Sequence, residues 1–228
     1  MLLDANAITS QIGSIILAIG GLGTAAYGVV DVTKAFGGGV SNRGFDDIKK
    51  AVSRFFPNGE GSSALSLSSV LGTLRSNWLN GMALADQKSV AKALIKLNLN
   101  PGTSDAMAAV TGVRADILGR IAEKISTGET LTPQEADVYG RFDLLLTSVL
   151  DQGYQRGDQR YRNSAKLLAV PVAIVLAYVG MWATGQHGTT ASLYALLAGL
   201  LATPLAPIAK DVASAVQQAA KVAQVWKR

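Results

Sequence analysis

The sequence predicts an all-α, three-span helical integral membrane protein with a helical cytoplasmic domain between spans one and two. Three observations carry that class. Leu167 to Ala209 is a run of 43 residues with no Lys, Arg, Asp or Glu. A second uncharged stretch runs from Ala5 to Val30. Hydrophobic residues make up 49% of the chain and charged residues 16%, against about 25% charged in ordinary soluble domains. A bilayer core about 30 Å thick takes roughly 20 apolar residues per helix, so the first stretch holds two spans and the second holds one.

The first span is expected at residues 12–32, after a short outer N-terminus at 1–11. No Lys or Arg precedes it, and a secretory leader needs a basic start, so it reads as a retained span. Gly20, Thr24 and Gly28 recur every four residues, as do Ser10, Ser14 and Ala18. Small residues at that spacing let a second helix approach closely. The partner is either spans two and three of the same chain or another copy. Gly21-Leu22-Gly23-Thr24-Ala25-Ala26 also matches a dinucleotide-binding glycine pattern. That motif requires a strand before it and a βαβ unit around it, and neither is expected here.

Residues 33–163 form the expected cytoplasmic domain. Gly37-Gly38-Gly39 breaks the chain and predicts a flexible joint. Phe45, Ile48, Val52 and Phe55 then share one helical face, with Lys49, Lys50 and Arg54 elsewhere on the wheel. Such a basic amphipathic helix suits the headgroup layer of a membrane, or equally the first helix of a packed bundle. A helical pattern returns from Leu65 to Ala85 through Leu67, Leu71, Leu74, Trp78 and Met82. Another apolar face follows through Val90, Leu94 and Leu97, closed by the turn Asn100-Pro101-Gly102. Ser104 is placed to cap a short helix, and Ile117, Leu118, Ile121 and Ile125 mark the next one. Thr132-Pro133-Gln134-Glu135 spells a capping box with proline at the first helical position. The helix it starts carries Tyr139, Phe142, Leu146 and Val149, and no strong breaker separates it from span two, although Gly153 and Gly157 weaken it. One long helix, or two collinear ones, is therefore expected to run from this domain into the membrane.

Span two is expected at 164–184, an outer hairpin at 185–190 and span three at 191–209. The tail, 210–228, carries Val212, Ala215, Ala219, Val222 and Trp226 at heptad spacing. It reads as an oligomerisation helix, a helix docked on the chain's own domain, or a membrane-surface helix.

Charge sets the orientation. Residues 32–163 hold 16 Lys and Arg, whereas the segments before span one and between spans two and three hold none. Basic flanks stay on the cytoplasmic side, so the N-terminus and hairpin lie outside and the C-terminus inside. A bacterial inner (plasma) membrane is the expected location. The net charge of +5 is read as this topology signal, with no nucleic-acid partner.

Chemistry is harder to place. The chain has no Cys and one His, His187, in the hairpin turn. No hydrolase, metalloprotease or phosphate-loop motif is present, and no cofactor or metal is expected. Apart from Asp31 and Lys166 at the span margins, no Asp, Glu, His, Lys or Arg lies inside a span, which argues against an ion-coupled transporter. The expected role is non-enzymatic: a homo-oligomeric assembly or scaffold built on the lipid bilayer. The alternatives are a homo-oligomeric channel gated by the cytoplasmic domain, and an accessory subunit contacting other membrane subunits.

Overall fold

The structure, a computed structural model, describes residues 5–56 and 65–226, with side chains described for 11–56 and 65–218. Every regular element among them is helical: α1 (Ala5–Val32), α2 (Ser41–Ser53), α3 (Leu67–Leu79), α4 (Leu84–Leu97), α5 (Ser104–Thr111), α6 (Ala115–Thr127), α7 (Pro133–Ala183) and α8 (Thr189–Trp226). The chain divides into two compact units. One comprises Met1–Val40 with Arg162–Arg228, and the other Ser41–Tyr161.

The first unit holds the three helices long and apolar enough to cross a membrane, Gln11–Ala35, the apolar part of Pro133–Ala183, and Thr189–Gln218. Their shared core is small: Ala26 and Val30 of α1, Ala169 and Ala173 of α7, and Ala202 of α8. The glycine pattern at Gly21–Ala26 lies in mid-helix, so no strand precedes it and the dinucleotide reading has no structural basis. Side-chain hydroxyls turn back on their own helices. Thr24 donates to the Gly20 carbonyl at 3.1 Å and Thr184 to that of Gly180 at 3.0 Å. A hydroxyl in hydrocarbon needs such a partner. The segments expected as span three and a tail helix lie on one helix, α8, which runs through Pro204 and Pro207 to Trp226. Gly37, Gly38 and Gly39 all take positive φ. They form a tight left-handed turn, folded so close that a Cβ on Gly39 would lie 2.3 Å from the Thr33 hydroxyl.

The second unit has an ordinary hydrophobic core. Phe55, Leu74, Ile95, Met107, Phe142, Leu146 and Leu150 are among its fully buried side chains, each stabilising the fold by about 1.5–3 kcal/mol. The membrane-surface expectation for α2 is corrected here. Phe45, Ile48, Val52 and Phe55 are all buried in this core, while Lys49, Lys50 and Arg54 are exposed. An amphipathic pattern specifies an apolar neighbour, and in this unit that neighbour is protein.

Helix α2 crosses α7 at three glycines. A Cβ on Gly44 would lie 2.6 Å from the Gly157 carbonyl oxygen, and one on Gly153 would lie 2.5 Å from the Ala51 Cβ. The glycines that seemed to weaken α7 are thus its contact surface for α2. Trp78 seals the crossing, donating its indole N–H to the Ser41 carbonyl at 3.0 Å and meeting Tyr161 edge-on.

The helical pattern expected over Leu65–Ala85 ends earlier, and the following helix starts earlier. Helix α3 stops at Leu79, and Asn80-Gly81, with Gly81 at φ 71°, turns the chain into α4. The buried face of α4 is Gln87, Ala91 and Ile95, so Leu97 is exposed although its spacing from Val90 and Leu94 suggested a core position. Thr103, not Ser104, is the residue before α5. Ser104 donates instead to the Pro101 carbonyl. On its outer side α4 presents three lysines one turn apart to α7. Lys88 pairs with Asp151 at 2.5 Å, and Lys92 and Lys96 pair with Asp143 at 2.5 and 3.0 Å. Burial opposes ionisation of Asp143, but the hydrogen bonds from Lys92 and Lys96 outweigh it and hold its carboxyl below the usual range.

The capping box forms. The Thr132 amide donates to Glu135 Oε2 at 2.8 Å, and the Glu135 amide donates to the Thr132 hydroxyl at 3.3 Å. Lys124 of α6 joins the same carboxylate at 2.8 Å. This Lys124 bond, then the Thr132 amide, pulls the Glu135 pKa from 4.5 down to about 2. A depressed carboxylate stabilises the fold above its unfolded pKa and loses that contribution as the pH falls towards the folded value. Glu135→Gln is therefore expected to lower the melting temperature at pH 7. The difference from wild type should close between pH 4.5 and about 2, measured by thermal unfolding of the full chain across that range.

Candidate functional site

Helix α1 has two small-residue faces, and they do different things. The first is buried against α8. A Cβ on Gly20 would lie 2.1 Å from the Ala209 Cβ and 2.9 Å from the Leu205 carbonyl oxygen. One on Gly23 would lie 2.0 Å from the Ala202 carbonyl oxygen. Ala26 and Val30 continue this face and are buried. Its steps are three, three and four residues, which keep to one side of a 3.6-residue turn.

The second face is exposed. Ser14, Ala18, Gly21, Ala25 and Gly28 follow at steps of four, three, four and three, and all five are exposed. A Cβ on Gly21 or Gly28 would meet nothing within 4 Å. At 100° per residue this stripe lies about half a turn round the helix from Gly20, Gly23 and Ala26. Lipid tails are satisfied by Leu, Ile and Val. Small residues on a lipid-accessible face instead permit the backbone of another helix to come close.

The residues expected to form one packing interface therefore separate. Gly20 belongs to the internal contact with α8. Ser14, Ala18 and Gly28 lie on the open stripe, and exposed Thr24 flanks it with its hydroxyl turned to the Gly20 carbonyl. The side chain of Ser10 lies outside the described residues. Gly21, Gly23, Ala25 and Ala26, which the sequence offers only as a glycine pattern, also belong to these faces, because a four-residue repeat drifts off a 3.6-residue helix. Mixed steps of three and four residues trace both faces. In the tail, Val212 is half-buried and Ala215 exposed. The side chains of Ala219, Val222 and Trp226 lie outside the described residues.

At the α7–α8 turn Tyr178, Trp182 and Tyr194 are exposed, the residue types that settle at a membrane–water boundary. His187 is exposed in the same turn. Beside it, a groove of about 490 Å³ runs between α1, α7 and α8, walled by Ile19, Leu22, Leu176, Met181, Tyr194 and Ala198 among others. Its walls carry no carboxylate, imidazole or amine, so it offers no acid–base pair. Among the described residues no three His, Cys, Asp or Glu side chains are grouped to hold a metal ion. In the helical unit, Asp143 and Glu135 are already engaged by lysines. What the three-helix unit presents is an exposed stripe of small residues.

The two faces of α1 should respond differently to the same change. Gly23→Ala forces a methyl group against a backbone carbonyl and is expected to destabilise the three-helix unit by about 1–3 kcal/mol. Gly21→Ala enters open space and should raise stability by about 0.5–1 kcal/mol, the helical cost of glycine relative to alanine. Thermal or denaturant unfolding in mild detergent measures both.

Compared with models of protein families, with curated proteins and with solved structures, the chain matches none.

Proposed function

We propose that this chain is a membrane-embedded assembly protein that joins to copies of itself through the open face of α1. The observation that carries the reading is the stripe Ser14, Ala18, Gly21, Ala25 and Gly28. It remains exposed after the internal packing of α1 on α8 is satisfied. Close helix approach in lipid depends on dispersion contacts and small side chains, since apolar burial contributes little there. A stripe of this kind is well suited to a second α1. The surrounding bilayer supplies the rest of the environment of the three candidate spans. The helical unit Ser41–Tyr161 is then the part available to water-soluble partners, on the cytoplasmic side by the distribution of Lys and Arg.

The continuity of α7 favours a second reading, a homo-oligomeric channel. One helix of 51 residues contributes to both compact units. Three spans are too few to enclose a conduit in one chain, and a pore would require the same α1 contacts. An accessory subunit of a larger membrane complex would place a different helix against the stripe.

The mass of the particle in native nanodiscs separates these readings. Self-assembly predicts a discrete multiple of 23.7 kDa. Gly28→Leu should shift it towards the monomer while helicity and melting temperature stay at the wild-type level. A wild-type monomer that recruits no copy at any protein-to-lipid ratio would overturn the assembly and channel readings together. Ion flux in reconstituted vesicles then divides a channel from a scaffold. Orientation is checked by a peptide tag inserted between Gly185 and Thr189, which antibody should reach from outside intact cells.

A further inference from the structure

In the helical unit, cations are generally met by acids. Lys88, Lys92, Lys96 and Lys124 each have a carboxylate within 3.0 Å. Arg43, Lys49, Lys50, Arg54 and Arg156 have no such pair among the described residues, and the last three share one place. Helices α2 and α7 enclose a cleft of about 80 Å³ whose rim carries Lys50, Arg54 and Arg156. Asp47 is the one carboxylate on the rim, and Arg160 already holds it at 3.1 Å. Three cations and one anion line this cleft, and Arg160, which is not part of the lining, holds that anion.

The cleft exists because of the glycine crossing. Ala51 and Gly153 are buried and touch so closely that Gly153 has no room for a Cβ. They form the floor. The rim residues stand one turn apart, Lys50 and Arg54 on α2, Gln152 and Arg156 on α7, and all four are exposed. Two helices held together by small residues thus converge three unshared positive charges and one amide on a single small volume. Like charges so placed repel one another, and nothing in the hydrophobic core of this unit requires them there.

The volume limits the occupant. A drug-sized ligand needs about 300–1,000 Å³, whereas this cleft equals two or three water volumes at about 30 Å³ each. A compact oxyanion is the size that fits. Arginine forks match tetrahedral phosphate oxygens in paired hydrogen bonds, and lysine adds a point charge. We propose that the α2–α7 cleft binds a single phosphate group through Lys50, Arg54 and Arg156, with the Gln152 amide as a further donor. The phosphate belongs either to a soluble ion or to a lipid headgroup. Binding neutralises the repulsion across the crossing and so tightens α2 on α7.

The test uses the full chain in phosphatidylcholine nanodiscs. In the first arm, inorganic phosphate is compared with chloride at equal ionic strength and pH. Wild type is expected to melt higher in phosphate. Arg156→Gln should weaken the apparent phosphate affinity about tenfold, as expected for loss of one charged hydrogen-bonding partner, and Arg54→Gln with Arg156→Gln should abolish the rise while melting normally in chloride. Lys50→Gln serves in place of the double variant if that one fails to fold. In the second arm, phosphatidate replaces part of the phosphatidylcholine and no inorganic phosphate is present. A rise in the first arm identifies a soluble phosphate, and a rise confined to the second identifies a headgroup. The proposal is overturned if wild type responds to neither probe. It is equally overturned if Arg43→Gln, which lies on α2 outside the cleft, reduces the response as much as the cleft variants do.

Discussion

A methyl group at Gly23 would sit 2.0 Å from the Ala202 carbonyl oxygen, and that exclusion fixes how α1 lies on α8. The same rule governs every close crossing described above. On Gly199 a Cβ would lie 2.5 Å from the Ile174 Cα, which sets α8 against α7. In the helical unit, Gly44 and Gly157 do the same for α2 and α7. Each crossing is made by absent atoms, so each is sensitive to the smallest addition. Glycine in a helix interior costs about 0.5–1 kcal/mol relative to alanine, and the close packing it permits must offset that.

The two units offset it by different means. In the helical unit the crossings are surrounded by large side chains, Phe55, Phe142 and Trp78 among them, and removal of apolar surface from water supplies the driving force. In the three-helix unit the core is mostly alanine. In a bilayer, alanine would gain little from leaving lipid, and contact density between backbones would have to hold the helices together. Pro204 and Pro207 fit this arrangement. Each lacks the N–H that would close a helical turn, and both lie in the segment of α8, Ala202 to Ala209, on which α1 is seated.

Much of this was legible in the sequence, and the misses share a cause. The three apolar helices follow from the absence of charge, which any bilayer demands. The capping box follows from local hydrogen-bond chemistry and needs no knowledge of the remainder of the chain. The unbroken α7 follows from the lack of a proline between Pro133 and Pro171. The destination of the α2 face did not follow, because lipid and protein core call for the same pattern of Phe45, Ile48, Val52 and Phe55. Nor did the roles of Gly153 and Gly157, since a glycine chosen for contact and a glycine that frays a helix are spelled alike. On α1, a fixed step of four mixed residues from opposite faces. Asn80-Gly81 was a readable turn signal, hidden by apolar periodicity on both sides of it.

The lysine row of α4 has a consequence for how that helix finds its place. Its charges repeat every four residues and face acids eight residues apart, running antiparallel, with Lys88 on Asp151 and Lys96 on Asp143. Sliding α4 by one turn, about 5.4 Å, would set Lys92 on Asp151 and leave Lys96 on Asp143. Both acids would stay neutralised, so electrostatics is nearly degenerate between the two alignments. What distinguishes them is not periodic. The Tyr154 hydroxyl, fully buried, donates to the Gln87 carbonyl at 3.3 Å, and Lys96 sits 4.9 Å above the Tyr139 ring. Attraction between the rows is therefore suited to bringing α4 and α7 together early and loosely. A vernier of two aromatic contacts then selects one notch.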